Sequence, residues 1–210
     1  MNMRVVDFKK LIKEIPFENH SFDIRKDLWK NEIHQKFINE VILKRPITTI
    51  NRKDLYDPQL NIKQFIFKTL MWGYPTKGRG KNIDNLLKTD NLNKLVRILQ
   101  EYRNNEITID ELKDSLKISG LGLSTLTKFT HFLNTKINGN RAVMLDLQII
   151  NTINANRFEE FNSLKNINYE NAINFYEEYI GLINSLANKM KVIEDQVEMF
   201  LFIFGRKLSK

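Results

Sequence analysis

The residues between Leu116 and Leu147 carry the groups in this chain best suited to chemistry. Leu116-Lys117-Ile118-Ser119-Gly120-Leu121-Gly122-Leu123-Ser124-Thr125 reads as a helix end, a tight turn and the start of a second helix. Gly120 and Gly122 bracket one apolar residue, and glycine accepts positive φ and lets another backbone come close. The amides of the next helix, from Gly122 through Leu123 and Ser124, would point outward with partial positive charge, a natural place for a phosphate. Lys128 lies about one helical turn beyond Ser124 on the same face. Downstream, Asp146 is the one carboxylate in the apolar run Ala142-Val143-Met144-Leu145-Asp146-Leu147. Burying such a group is costly unless something uses it.

This layout resembles the helix-hairpin-helix DNA glycosylases, the superfamily of endonuclease III and 8-oxoguanine DNA glycosylase. Ile118-Ser119-Gly120-Leu121-Gly122 fits the family's backbone-gripping hairpin, and Val143-Met144-Leu145-Asp146 fits its aspartate at the end of a short apolar run. The family places a nucleophilic lysine two residues after the second glycine, where this chain has Ser124. Lys128 stands one turn further on, and its spacing to Asp146 is close to the family's usual one. The resemblance therefore implies Lys128 as nucleophile and Asp146 as the group that stabilises the sugar cation. To attack C1′, Lys128 must be neutral, a state that partial burial favours.

A second resemblance lies in Trp72-Gly73-Tyr74-Pro75-Thr76-Lys77-Gly78-Arg79-Gly80-Lys81-Asn82. The stretch is similar to a pattern in a bacterial subgroup of 8-oxoguanine-glycosylase-fold proteins, and Val197-Glu198-Met199-Phe200-Leu201-Phe202 resembles that subgroup's carboxy-terminal motif. Lys77, Arg79 and Lys81 can meet phosphates, and Trp72 or Tyr74 can stack on a base. In 8-oxoguanine glycosylases an aromatic on the closing helix packs on the flipped base, which makes Phe200 and Phe204 candidates here.

Composition narrows the alternatives. The chain has 210 residues, a formal charge of +8 and no cysteine. Its pI near 9.5 favours a polyanionic partner. The absence of cysteine removes disulfides, a thiolate nucleophile and a four-cysteine iron–sulfur cluster. His20, His34 and His131 are scattered in sequence, so neither a metal nor another cofactor is expected, and His131 reads as a surface or boundary residue. No run is long enough for a membrane span.

Around these groups, apolar spacing predicts helices over 4–15, 25–44, 61–71 and 91–102. Thr108-Ile109-Asp110-Glu111 has capping-box spacing and opens the first hairpin helix, so that the hairpin occupies about 109–136. Further helices are expected after Asp146, over about 169–190 and over 192–206. Residues 46–58 read as a connection, with Ile47-Thr48-Thr49-Ile50 a candidate short strand.

The expected fold is all-α, with residues 1–210 forming one two-lobed glycosylase-like unit. The expected protein is a cytoplasmic, nucleoid-associated monomer that binds double-stranded DNA containing a modified base. It would excise an oxidised purine or a phage-type hypermodified base by nucleotide flipping, with or without lyase activity, in repair or in defence against phage DNA. The alternative is a non-catalytic helix-hairpin-helix DNA-binding module, which would have no need of Asp146.

Overall fold

The computed structural model describes residues 3–78, 80–205 and 207–208. Helices make up 58% and strands 9% of the chain. None of the helices is long and apolar enough to cross a membrane, among the described residues.

The amino-terminal quarter departs from the helical expectation. The 4–15 stripe forms a 3-10 turn, Val5–Phe8, and a short α1, Lys9–Lys13. The stretch predicted as one helix over 25–44 breaks up. Strand β1, Ser21–Arg25, precedes a 3-10 turn, then α2, Gln35–Phe37, which runs into a π-helical turn, Ile38–Ile42. The segment read as a connection contains β2, Ile47–Asn51, which pairs antiparallel with β1 from Ser21 opposite Asn51 to Arg25 opposite Ile47. Of the apolar residues of 25–44, Trp29, Ile38, Ile42 and Leu43 are buried, through short turns rather than one helical face, while Leu28 and Ile33 are exposed.

From residue 62 onward helices dominate: α3 (Ile62–Gly73), α4 (Asn82–Leu86), α5 (Thr89–Tyr102) and α6 (Ile109–Ser115). After α6 come α7 (Leu123–Phe132), α8 (Leu147–Asn154), α9 (Ala172–Met190) and α10 (Glu194–Ile203). The capping box is present: Glu111 N–H donates to Thr108 Oγ1 at 3.2 Å, and Thr108 N–H to Glu111 Oε2 at 2.7 Å. Strands β3 (Glu106–Ile107), β4 (Lys136–Ile137) and β5 (Asn140–Arg141) form a small sheet in the order β3-β4-β5. The all-α expectation is therefore corrected to a mostly helical fold with two small sheets.

Helix α9 is the central buried element, with Tyr176, Tyr179, Ile180 and Ile183 inaccessible to solvent. Its two tyrosines solve a local problem. Residues 142–146 belong to none of the described strands, and apart from Ala142 N–H, which donates to the Thr135 carbonyl at 2.9 Å, their buried backbone groups call on side chains. Tyr176 donates to the Val143 carbonyl at 2.8 Å and Tyr179 to the Met144 carbonyl at 2.9 Å, while Leu145 N–H donates to Thr127 Oγ1 of α7 at 3.2 Å. The segment that ends in Asp146 is thus pinned between α7 and α9.

Candidate active site

A cavity of about 80 Å³ opens between these elements. Its lining includes Lys128, Asp146, Glu198, Arg52, Trp72 and Gly73, with His20, Phe22, Met144, Met199 and Phe202 completing the wall. The lysine and aspartate singled out in the sequence therefore share one cavity.

Lys128 is 7% exposed. Helical side chains lean toward the helix amino terminus, and Lys128 does so: its Nζ donates to Ser124 Oγ at 2.8 Å and to the Ser124 carbonyl at 3.1 Å. The amine is thereby carried one turn back to Ser124, the position at which the resembled family has its lysine. Gly73 makes room for the stem, since a Cβ there would stand 3.1 Å from Lys128 Cδ and 3.2 Å from Cε. Tyr74 closes the other side, its ring centroid 5.7 Å from Nζ and its hydroxyl 2.8 Å from Thr125 Oγ1. Tyr74 supports the lysine and is not part of the cavity lining.

Asp146 is half-buried and is the N-cap of α8, its Oδ1 accepting from Ile149 N–H at 3.0 Å. One oxygen fixes the helix end. The carboxylate is thus anchored by its own helix at the cavity wall.

Beneath the wall lies a buried polar floor. Arg52, directly after β2, donates through Nη2 to Glu198 Oε2 at 2.7 Å, Asp195 Oδ1 at 3.2 Å and His131 Nε2 at 3.0 Å. Its guanidinium lies between the rings of Phe17 and Phe132, 5.8 and 5.9 Å from their centroids. Asp195 also accepts from the Tyr56 hydroxyl and from Arg141. His131 Nδ1 stands 3.1 Å from the Ala142 carbonyl, and Nε2 stands 2.7 Å from the Tyr56 hydroxyl and 3.1 Å from Asp195 Oδ1. Burial holds the His131 pKa down to about 4, against the pull of Asp195. Burial opposes ionisation of Asp195 too, but His131, Arg141 and Arg52 outweigh it and hold that carboxyl well below its usual range. Burial pushes Glu198 up to about 7, against the pull of Arg52.

The floor contains what the sequence reading missed. His131 is fully buried, not a surface or boundary residue, because α7 packs that face against Tyr56 and α10. Arg52 fell in the supposed connection, where no local signal sets it apart from a solvated arginine. Phe200 is fully buried among Phe8 and Phe158, with ring centroids 5.2 and 5.8 Å away, and Phe204 packs on Phe200 at 6.0 Å. Neither belongs to the cavity lining. The aromatics that line it are Trp72, Phe202, Phe22 and His20. The His20 ring contacts all three, at 5.4, 5.8 and 4.9 Å between centroids.

The hairpin turn differs in detail from its sequence reading. Leu121 N–H donates to the Ile118 carbonyl at 3.0 Å, and Gly120 takes φ +88°, the third-position geometry that favours glycine. A Cβ on Gly120 would stand 2.3 Å from the Asn82 carbonyl oxygen, so this glycine lets α4 pack against the turn. Gly122 has an ordinary φ of −93° and is the N-cap of α7, where no side chain caps the helix. Among the described residues, the first amides of α7, at Leu123 and Ser124, have no side-chain acceptor. A Cβ on Gly122 would stand 2.9 Å from the Tyr169 hydroxyl. A neighbouring cavity of about 180 Å³ is lined by Gly120, Gly122, Tyr169, Lys77, Gly78 and Thr125, among others. Lys77 is paired with Asp84 at 2.8 Å, Lys81 is exposed, and Arg79 lies outside the described residues.

Residues 16–202 match the family described as "Putative 8-oxoguanine DNA glycosylase OGG-like protein". The chain belongs to this family. No curated protein and no solved structure matches it. The matched span runs from Pro16 to Phe202, so this OGG-like region contains both the wall with Lys128 and Asp146 and the polar floor. Family membership supports a DNA-glycosylase-type function, with DNA as substrate.

Proposed function

We propose that this OGG-like chain excises a modified base from duplex DNA, with Asp146 and Lys128 as its catalytic pair. The observation that carries this reading is the convergence of both residues on one aromatic-lined cavity. A glycosidic bond is unreachable inside a duplex, so the nucleotide must be flipped out. In this reading α6, the Gly120 turn and α7 act as a helix-hairpin-helix, and the uncapped amides of Leu123 and Ser124 receive a backbone phosphate beside Lys77 and Lys81. The base is received against Trp72, Phe22, His20 and Phe202; since a cavity of about 80 Å³ is smaller than a base, these side chains shift apart as it enters.

As the bond from C1′ to the base breaks, the sugar becomes electron-deficient. Asp146, fixed at the start of α8, places a carboxylate near that developing charge at no reorganisation cost. Lys128 Nζ then attacks C1′; the amine loses its proton, the C1′–O4′ bond opens with O4′ leaving as a hydroxyl, and the resulting Schiff base permits strand cleavage by β-elimination of the 3′-phosphate. Ser124 and Gly73 position the amine. Oxidised purines and hypermodified bases are the substrate classes proposed.

The test is incubation of the protein with duplexes carrying such bases, scoring abasic sites and strand nicks separately, followed by borohydride trapping. Excision with a trappable adduct in the wild type, and no adduct in Lys128→Gln, is the expected result. Excision without any adduct would assign the attack to water. DNA binding without excision across the panel would leave a backbone-binding module.

A further inference from the structure

The chemistry above assists the sugar and leaves the departing base unassisted. Glu198 lies on α10, is 3% exposed, and lines the same cavity as Asp146 and Lys128. Its Oε2 is taken by Arg52 Nη2, while Oε1 makes no hydrogen bond among the described residues. Two donors of the buried Arg52, Nε and Nη1, are also without a partner. Asp195, on the same helix, is built differently: Oδ1 accepts from Arg52 and Tyr56, and Oδ2 from Arg141. Buried polar groups are ordinarily satisfied. Asp195 follows that rule as a structural carboxylate does, whereas Glu198 keeps an open oxygen at a cavity that holds the two reactive residues.

The charged and titratable groups around Glu198 come from several elements. Arg52 approaches from the segment after β2, Asp195 from its own helix, Asp146 from the start of α8 and Tyr179 from α9. Lys128 of α7 and His20 share the cavity. Burial raises the Glu198 carboxyl to about 7, Asp195 and Asp146 add to that, and Arg52 opposes it. The acid form is therefore populated at neutral pH.

We propose that Glu198 is the proton donor to the leaving base, with Arg52 receiving the carboxylate that results. The inference rests on the excision reading given above. In the step, the C1′–nitrogen bond breaks and its electron pair goes to the base. The proton moves from the Glu198 carboxyl to a ring nitrogen of the base, which departs neutral. The sugar cation is then captured by water or by the Lys128 amine, either of which releases a proton and allows Glu198 to be reprotonated.

The experiment is single-turnover excision by the wild type and Glu198→Gln across pH. It uses the base found in the duplex panel and an analogue carrying an electron-withdrawing ring substituent, which leaves without protonation. Glutamine keeps an acceptor for Arg52 and cannot supply the proton. Expected are a wild-type rate that falls above about pH 7 and a variant slower by about 100-fold on the parent base. The variant should have no such fall, and the analogue should recover most of its rate. Equal rates, or an equal loss on both substrates with the pH profile unchanged, would overturn the proposal. If Glu198→Gln does not fold, the wild type decides alone. A fall above neutrality confined to the parent base supports proton donation, and its absence overturns it. Failure of the wild type to excise any base overturns the excision reading itself, and this proposal with it.

Discussion

The wall and the floor of the cavity are built in opposite ways. On the wall, Lys128 is held by Ser124 four residues away, and Asp146 by the amide of Ile149 three residues away. On the floor, Arg52 reaches His131, Asp195 and Glu198 across 79, 143 and 146 residues of chain. The polar partners of Lys128 and Asp146 therefore come from their own helices, whereas the floor exists only once the chain has closed. Lys128 and Asp146 should be exchangeable at small cost to the fold, whereas the floor joins the segment after β2 to α7 and α10 and should not lose a member cheaply.

Arg52→Ala should break this contrast most strongly. It leaves Glu198 buried without its ion pair and removes one of the partners of Asp195. Loss of one partner from a buried pair costs about 3–5 kcal/mol. Urea denaturation should show a loss of that size for Arg52→Ala and less than about 1.5 kcal/mol for Lys128→Gln, whose hydrogen bonds stay within one helical turn. Comparable losses would mean that wall and floor are not mechanically distinct.

The pH dependence of stability sharpens the comparison. His131 titrates at about 4 in the folded chain, below its ordinary value of 6.5, so its contribution is complete above 6.5 and is lost as pH falls toward 4. Glu198 titrates at about 7, above its ordinary 4.5, so its contribution is complete below 4.5 and is lost as pH rises through 7. The two trends oppose each other between 4.5 and 6.5. Stability of the wild type should change little across that window, and Glu198→Gln should lose stability steadily on acidification through it. Parallel profiles for the two proteins would contradict these assignments.

The smallest expected effect concerns the basic loop. Lys81 is exposed, whereas Lys77 already neighbours the Asp84 carboxylate. Each phosphate that the protein no longer neutralises lowers the slope of log affinity against log salt by about 0.9. Lys81→Ala should approach that change, and Lys77→Ala should fall short of it. The reverse order would assign the phosphate-binding role to Lys77.

The same division governs what could be read from the sequence. Lys128 and Asp146 were legible because a glycine turn, one helical turn of spacing and a lone carboxylate in an apolar run are local signals. The Thr108 capping box was legible for the same reason. Arg52, Glu198 and His131 were not recognised, because nothing within a few residues of each distinguishes a buried ion pair from a solvated charge. Their partners come from distant segments, and Arg52 itself is held by the chain beside β1, its N–H donating to the His20 carbonyl at 2.8 Å. Phe200 and Phe202 show the limit of pattern reading: both belong to one apolar helix, and only packing against Phe8 decides that Phe200 is core and Phe202 lines the cavity.

The central claim is that the carboxylate of Asp146 stabilises the sugar as the base departs. Single-turnover excision by wild type and Asp146→Asn, on the same duplex and at saturating protein, tests it most directly. Asparagine keeps the shape and an acceptor for Ile149 N–H while removing the charge. The account predicts a folded, DNA-binding variant whose excision is slower by about 10²–10³, the scale of losing one preorganised electrostatic group. Excision by Asp146→Asn at the wild-type rate would contradict it.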